Sequence, residues 1–276
     1  LGQIQGARHD RPPAGRASLL AQQRQQAILE RVRRTGGVRV ADLVRDLGVS
    51  DMTIRRDLEA LADRGLIEKV HGGATVAGPG STEEPGFAAK SVRQQAEKEA
   101  IARAAAHLVR PGSAVALSAG TTTWTFAHHL VDVPDLTLIT NSVRVAEVFH
   151  RSGRPGQTIV LVGGVRTPSD ALVGPIAVQA IRSLNVDTLV LGVHGMNARA
   201  GFTTPNLLEA ETDRELVAAA QQLVVLADHT KWGTVGISTI ARLDRANVLV
   251  TDSGLDKEAR DELAGHVGEL IVAEPA

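Results

Sequence analysis

Seven short runs rich in valine, leucine and isoleucine, at residues 114–117, 136–140, 158–162, 188–191, 223–227, 248–251 and 270–272, constrain the fold of this chain more than any other feature. They do not alternate apolar with polar residues, so neither face of such a strand suits water. Helical patterns such as residues 176–184 and 207–221 lie between them and can supply cover on both sides. The sequence therefore predicts an α/β domain with a mainly parallel sheet, spanning residues 88–276 and led by a helix over about 88–109 with Ile101, Ala104, Ala105 and Leu108 on one face. The charges on that lead helix, Lys90, Arg93, Glu97, Lys98 and Glu99, read as solvated.

In an open parallel sheet, ligands gather beyond the carboxyl ends of the strands. The first run is followed by Ser118, Ala119, Gly120, Thr121, Thr122 and Thr123, a glycine and hydroxyls at the start of a helix placed from Trp124. Free amides and the helix dipole favour an anion there, although such a turn is as often an ordinary connection. The second run ends in Thr140-Asn141-Ser142, the third in Gly163-Gly164, the fourth in Gly192-Val193-His194-Gly195 and the fifth in Asp228-His229-Thr230-Lys231-Trp232. Together they offer hydroxyls, an amide, exposed backbone and one lysine, which suits a phosphorylated polyol. Lys231 is a compact cation for a phosphate; the alternative is an ion pair with Asp228. His194 reads either as a contact to a sugar hydroxyl or as a structural histidine. Glu209 and Glu211, near the start of a helix from Asn206, read as ligands for sugar hydroxyls or as complements to the helix dipole.

The N-terminal part has a different grammar. Ser50 can cap a helix whose Ile54, Leu58 and Leu61 share one stripe at about 100° per residue. Met52 and Arg56 then point away from that stripe, with Thr53 and Arg55 on its flanks. Upstream, residues 22–34 place Ile28, Leu29 and Val32 together, Gly36-Gly37 ends that helix, residues 40–47 form a second one, and Gly48 supplies the turn. Two short helices joined by a glycine turn present a recognition helix to a major groove. Two strands, residues 66–70 and 74–77, flank His71-Gly72-Gly73 as a hairpin wing, with Lys69 and His71 placed near a phosphate. An isolated amphipathic helix with outer arginines is usually just a solvated surface; the three-helix spacing followed by a glycine hairpin favours DNA. The residues assigned to DNA are Ser50, Met52, Thr53, Arg55, Arg56, Lys69 and His71.

Charge follows the same division. Residues 1–78 carry 13 Lys or Arg against 9 Asp or Glu, and the remainder 17 against 22, which gives +4 and −5. Part of the basic excess lies in residues 1–20, a polar stretch with Arg8, Arg11 and Arg16 expected to be a disordered tail, either an extension or a mistranslated alternative start. Residues 21–77 form the expected DNA-binding domain and residues 78–87, rich in Gly, Pro, Ser and Glu, the linker. The chain has no cysteine, which excludes disulfides and thiolate chemistry. No apolar run approaches the roughly 20 residues of a membrane span, and a cytoplasmic location is expected. No metal or cofactor is called for.

Residues 24–74 closely resemble the winged-helix domain of the DeoR family of bacterial transcriptional regulators. The resemblance is carried by Val49-Ser50, Thr53-Ile54-Arg55-Arg56-Asp57-Leu58, Leu61, Gly65 and His71-Gly72-Gly73-Ala74. It continues from about Lys98 to Asp252, where Thr140-Asn141-Ser142, Gly163-Gly164, Asn206, Glu209-Ala210 and Asp228-His229-Thr230-Lys231-Trp232-Gly233 follow the family. It implies a sensor domain similar to ribose-5-phosphate isomerase that answers to a sugar phosphate, and repression as the usual output. The family's pattern has an acidic residue where this chain has Ser118, which removes a carboxylate able to bind sugar hydroxyls and points to a changed effector.

Three functions remain in play. One is a regulator, a dimer or larger oligomer, that binds double-stranded operator DNA and a phosphorylated sugar. Another is a sugar-phosphate isomerase with a DNA-binding appendage, which would need an acid or base at the reacting carbon; the isomerase pattern of paired acids after a central strand is replaced by Gly192-Val193-His194-Gly195-Met196-Asn197. The last is an architectural DNA binder, which the polar strand ends argue against.

Overall fold

A computed structural model describes residues 21–35, 37–64, 66–70, 72–76 and 86–275. The chain divides into two compact units, Leu1–Gly78 and Pro79–Ala276. The expected tail and most of the expected linker lie outside the described residues.

In the first unit, α1 (Ala21–Thr35), α2 (Val40–Leu47) and α3 (Asp51–Asp63) enclose a core of Ile28, Leu29, Val32, Val40, Leu43, Ile54, Leu58 and Leu61. Gly48 takes φ +66° between α2 and α3, a left-handed turn that glycine adopts without a Cβ clash. The wing is a three-stranded sheet rather than the expected hairpin. Besides β2 (Ile67–Val70) and β3 (Gly73–Val76) it contains β1 (Gly37–Arg39), which pairs with the outer side of β3. That pairing explains Gly73: a Cβ there would lie 2.1 Å from the carbonyl oxygen of Val38.

In the second unit, all seven apolar runs are strands of one parallel sheet. In chain order they are β4 (Ala114–Leu117), β5 (Thr137–Thr140), β6 (Thr158–Leu161), β9 (Val186–Gly192), β12 (Ala220–Leu226), β14 (Val248–Asp252) and β15 (Glu269–Ala273), arranged β15-β14-β12-β9-β4-β5-β6. Side-chain alternation divides the core. Val115, Leu117, Leu138, Val190, Leu226 and Val250 face α5 (Gln95–Ala105), α6 (Thr121–His128) and α7 (Val143–Ser152). Ala116, Ile139, Leu189, Leu191, Val225 and Leu249 face α8 (Pro175–Ile181), α9 (Leu207–Ala219) and α10 (Lys257–Ala264). Phe126 on α6 is fully buried, and its truncation to alanine would cost about 3–5 kcal/mol.

Four readings change. The lead helix is broken into α4 (Phe87–Ser91) and α5 by a turn that ends at Gln94, a non-glycine residue with φ +46°. Phe87, placed in the linker, is buried and opens α4. The helix after β4 begins at Thr121, not Trp124, and the helix expected to run to residue 221 ends at Ala219, where β12 takes over. Short antiparallel pieces were not foreseen: β7 (Val165–Arg166) with β8 (Leu172–Val173), and β10 (Gly195–Asn197) with β11 (Gly201–Thr204) and β13 (Ser238–Ala241).

Candidate functional site

The recognition surface of the first unit is built on α3. The Ser50 hydroxyl caps the helix by accepting from the Thr53 amide at 3.2 Å and sits 2.8 Å from the Thr53 hydroxyl. Met52 is 66% exposed, and Arg56 is exposed with no ion pair among the described residues. Arg55 lies back along the helix on Asp51, Nε to Oδ1 at 2.5 Å, and Lys69 reaches Glu59 at 3.2 Å. Both pairs are exposed and screened by solvent, so a phosphate can displace either carboxylate. His71 lies outside the described residues. Sequence reasoning missed the inner side of α3, where buried Asp57 accepts from Arg24 Nε at 2.5 Å and from Gln25 at 3.2 Å. This pair ties α1 to α3 and fixes the orientation of the helix that carries Arg56.

The candidate site of the second unit follows from strand order. From β4 the chain winds outward through β5 and β6; from β9 it winds the other way through β12, β14 and β15. The carboxyl ends of β4 and β9 therefore flank a topological switch point, where a crevice forms between diverging connections. Ser118 follows β4, and its buried hydroxyl accepts from the Gly192 amide at the end of β9, at 3.0 Å. A Cβ on Gly192 would come within 4.0 Å of Ser118 and Thr123, so these three adjoin. Helix α6 starts here: Trp124 makes the first helical bond to the Gly120 carbonyl, and the amides of Thr121, Thr122 and Thr123 precede it. These amides are the anion-suited feature of the turn. The Thr123 hydroxyl, by contrast, donates to the Gly120 carbonyl at 3.1 Å.

The residues after β5 have another use. Thr140, Asn141 and Ser142 are almost wholly buried. The Thr140 hydroxyl donates to the Leu117 carbonyl, Asn141 Oδ1 accepts from the Ala119 amide at 2.9 Å, and the Ser142 hydroxyl caps α7. These side chains, expected to hold effector, hold the β4 and β5 loops together, because backbone groups at a buried strand end must find partners. Gly163 and Gly164 lead into the β7–β8 hairpin. Gly164, at φ +140°, has no room for a side chain, since a Cβ would lie 2.6 Å from the Val173 carbonyl oxygen. His194 joins the β11 edge, its amide donating to the Thr203 carbonyl at 3.2 Å. Glu209 accepts from the hydroxyls of Thr167 at 2.6 Å and Thr204 at 3.3 Å. One turn on, Asp213 is pushed well above the usual carboxylate range by burial and by the Glu209 charge.

Beyond β12 lies a cluster of charge. Asp228 is buried; its Oδ1 accepts from the amide and hydroxyl of Thr230, and its Oδ2 lies 3.7 Å from Lys231 Nζ. The Lys231–Asp228 pair is not the surface ion pair weighed from the sequence, because Asp228 is inside and the Lys231 side chain is only 27% exposed. His229 Nδ1 lies 2.7 Å from Asp252 Oδ2, and that hydrogen bond raises the imidazole above its ordinary value. Burial works to raise Asp252, but hydrogen bonds from His229 and Gly254 outweigh it and hold the carboxyl low.

The residue most clearly missed is Lys98. It is 4% exposed, not solvated. Its ammonium donates to the carbonyls of Lys90 at 2.6 Å and Arg93 at 2.5 Å and lies within electrostatic reach of Asp228 and Lys231. Burial pulls it down to about 8. The signal was available, since Lys98 shares a helical stripe with Ile101 and Ala105. A separate groove of about 610 Å³ lies between α6 and α7, lined by Trp124, His128, Val143, Arg144, Arg151 and Arg166 among others.

Comparison with known proteins gives a consistent picture. Residues 93–253 match the DeoR C terminal sensor domain, and residues 24–79 match the DeoR-like helix-turn-helix domain. The transcriptional regulator YgbI of Escherichia coli is 35% identical over 253 residues, covering 91% of this chain and 97% of that protein. The transcriptional repressor AccR of Agrobacterium fabrum is 35% identical over 235 residues, covering 84% and 90%. Among solved structures, ribose 5-phosphate isomerase A from Methanocaldococcus jannaschii aligns with a TM-score of 0.37 at 16% identity, over 50% of this chain and 54% of that one.

Proposed function

The chain belongs to the DeoR family of transcriptional regulators, and from that premise we propose that it represses genes of sugar or related carbon metabolism and that a phosphorylated sugar or similar metabolite modulates its grip on operator DNA. It is a DNA-binding regulator with a sensor domain, not an enzyme. The observation that carries the sensing half is the placement of anion-suited groups at the carboxyl ends of neighbouring central strands: the first amides of α6 beside the β4/β9 switch point, and Lys231 beyond β12. Repression is supported by relatives such as AccR, whose name carries that role.

On the DNA side the reading rests on α3. Arg56 and Met52 enter the major groove, Arg55 and Lys69 exchange their exposed carboxylates for phosphates, and Ser50 and Thr53 hold the helix start against the backbone. Phosphate contacts make binding fall with salt. A homo-oligomer presents paired heads to half-sites about one or more DNA turns apart. The effector changes operator affinity by the ratio of its affinities for the two states of the protein and by no more.

At the sensor, the acceptor side of Ser118 is taken by the Gly192 amide. The sugar end is then read by Glu209 and His194, and the phosphate end by Lys231 and the amides of Thr121–Thr123. The test is a duplex selected from random DNA by the chain, with its affinity followed while sugar phosphates are added. A phosphorylated compound that shifts the affinity in the wild type and fails to do so in Lys231→Ala supports the reading; equal responses in both proteins remove Lys231 from the site.

A further inference from the structure

The groove between α6 and α7 shares no lining residue with the effector site proposed at the strand ends. Its volume, about 610 Å³, suits a small organic molecule. One part of its lining is apolar: Trp124, with the His128 ring edge-on to it at 4.8 Å, and Val131, Val143 and Val148.

The other part is cationic. Arg144 donates from Nε to Asp170 Oδ2, and Arg166 donates from Nε to Oδ1 of the same carboxylate at 2.7 Å. Asp170 is buried in the turn between β7 and β8 with φ +62°, a conformation uncommon outside glycine. Burial works to raise its carboxyl, but hydrogen bonds from Arg144 and Arg166 outweigh that and hold it below the ordinary value, so it is charged. The Arg144 guanidinium also lies 4.2 Å from the centre of the Phe87 ring, which holds its plane. Arg151 pairs with Glu147 at 2.6 Å. Three guanidiniums therefore meet two carboxylates, and one positive charge is left over. A guanidinium has five donors. The side chains of Arg144 and Arg166 are 45% and 63% exposed, so both keep N–H groups for a further partner.

We propose that this groove is a second ligand site, for an organic acid whose carboxylate meets Arg144 and Arg166 and whose apolar body lies against Trp124 and the valines. Each half of the lining leaves the other unsatisfied. A small inorganic anion would meet the guanidiniums and leave the apolar wall wet, whereas an uncharged hydrocarbon would cover the wall and leave the excess charge unpartnered. A guanidinium fork matches a carboxylate through two parallel bonds. Asp170 holds both forks before a ligand arrives, which reduces the ordering cost of binding.

Calorimetry of the full chain with 2-naphthoate tests this, beside naphthalene-2-methanol, which has the body without the charge, and acetate, which has the charge without the body. The wild type binds 2-naphthoate about tenfold or more tightly than either. Arg166→Met weakens 2-naphthoate about tenfold and brings it to the level of the alcohol. Val143→Glu puts a carboxylate into the groove at an exposed position opening α7, where an acid suits the helix dipole; it abolishes binding with melting unchanged. In Trp232→Phe, Trp124 is the single tryptophan, and its indole N–H resonance shifts as 2-naphthoate is added. Lys231→Ala binds 2-naphthoate as the wild type does. The site is overturned if 2-naphthoate does not bind, if it binds no tighter than the alcohol, if Arg166→Met leaves its affinity unchanged, or if the Trp124 resonance stays still. Loss of binding in Lys231→Ala would place the compound at the strand ends, which overturns the second site and leaves the effector site standing.

Discussion

The two units use polar side chains in opposite ways. On α3 the assigned residues sit on a convex surface, and Arg56, Met52 and the readily displaced Arg55 face outward. At the strand ends of the sensor, Thr140, Asn141, Ser142 and Ser118 sit inside, bound to backbone groups. A DNA-reading surface is added to a finished helix, whereas a pocket in a parallel sheet is cut into the scaffold itself. Exposed polar groups on a helix are therefore free to meet a partner, whereas polar groups at a buried strand end are first taken up by the backbone around them.

The contrast can be broken first at the inner side of α3. Asp57→Ala breaks the buried ion pair with Arg24 and should destabilise the DNA-binding unit by about 3–5 kcal/mol, seen as an earlier melting transition with loss of DNA binding. Replacing both partners by apolar residues should recover much of that loss; a double variant as unstable as Asp57→Ala would show that the pair is not the cause. Outside, Arg56→Ala should lower operator affinity by about 1–3 kcal/mol, or roughly 10- to 100-fold, with melting unchanged. Operator affinity retained within twofold, on the order of 0.4 kcal/mol, would remove Arg56 from the interface.

The sensor side should respond differently. Asn141→Ala removes the acceptor of the half-buried Ala119 amide and should cost about 0.5–1.5 kcal/mol of sensor stability. Lys231→Ala should leave stability near wild type and weaken the effector response. If Asn141→Ala leaves the melting point unchanged and abolishes the response, the scaffold role assigned to Asn141 is wrong.

The smallest effect concerns pH. His229 is raised by Asp252, so the stability it contributes is fully present below about pH 6.5, the unfolded value, and is lost as pH rises through the higher folded value. Urea midpoints measured from pH 6 to 8.5, roughly the window around that titration, should fall with pH in the wild type and fall less in His229→Gln. Parallel curves would mean that the dyad does not titrate with folding.

How legible each region was follows from the range of its interactions. The seven strands of the parallel sheet were legible because burial on both faces of the inner strands leaves a continuous apolar run in the sequence itself, and the partly exposed edge strands β6 and β15 keep the same run. The strands β1, β7, β8, β10, β11 and β13 were not, since each is two to four residues long and is held by partners elsewhere in the chain. The break between α4 and α5 carries no glycine or proline; a left-handed Gln94 leaves no mark in composition. Lys98 was placed among solvated charges because Glu97 and Glu99 flank it, although its spacing to Ile101 and Ala105 puts it on the buried stripe. The Arg24–Asp57 pair joins residues 33 apart and has no local signature.

The central claim is that one chain reads DNA with α3 and a phosphorylated metabolite with the strand ends of its sheet. The most direct test is the fluorescence anisotropy of a selected operator duplex bound to the full chain, titrated with sugar phosphates and with the same sugars lacking phosphate. The account predicts that at least one phosphorylated compound shifts operator affinity while its unphosphorylated form does not. Equal effects of both forms, or no effect across the panel, would contradict it.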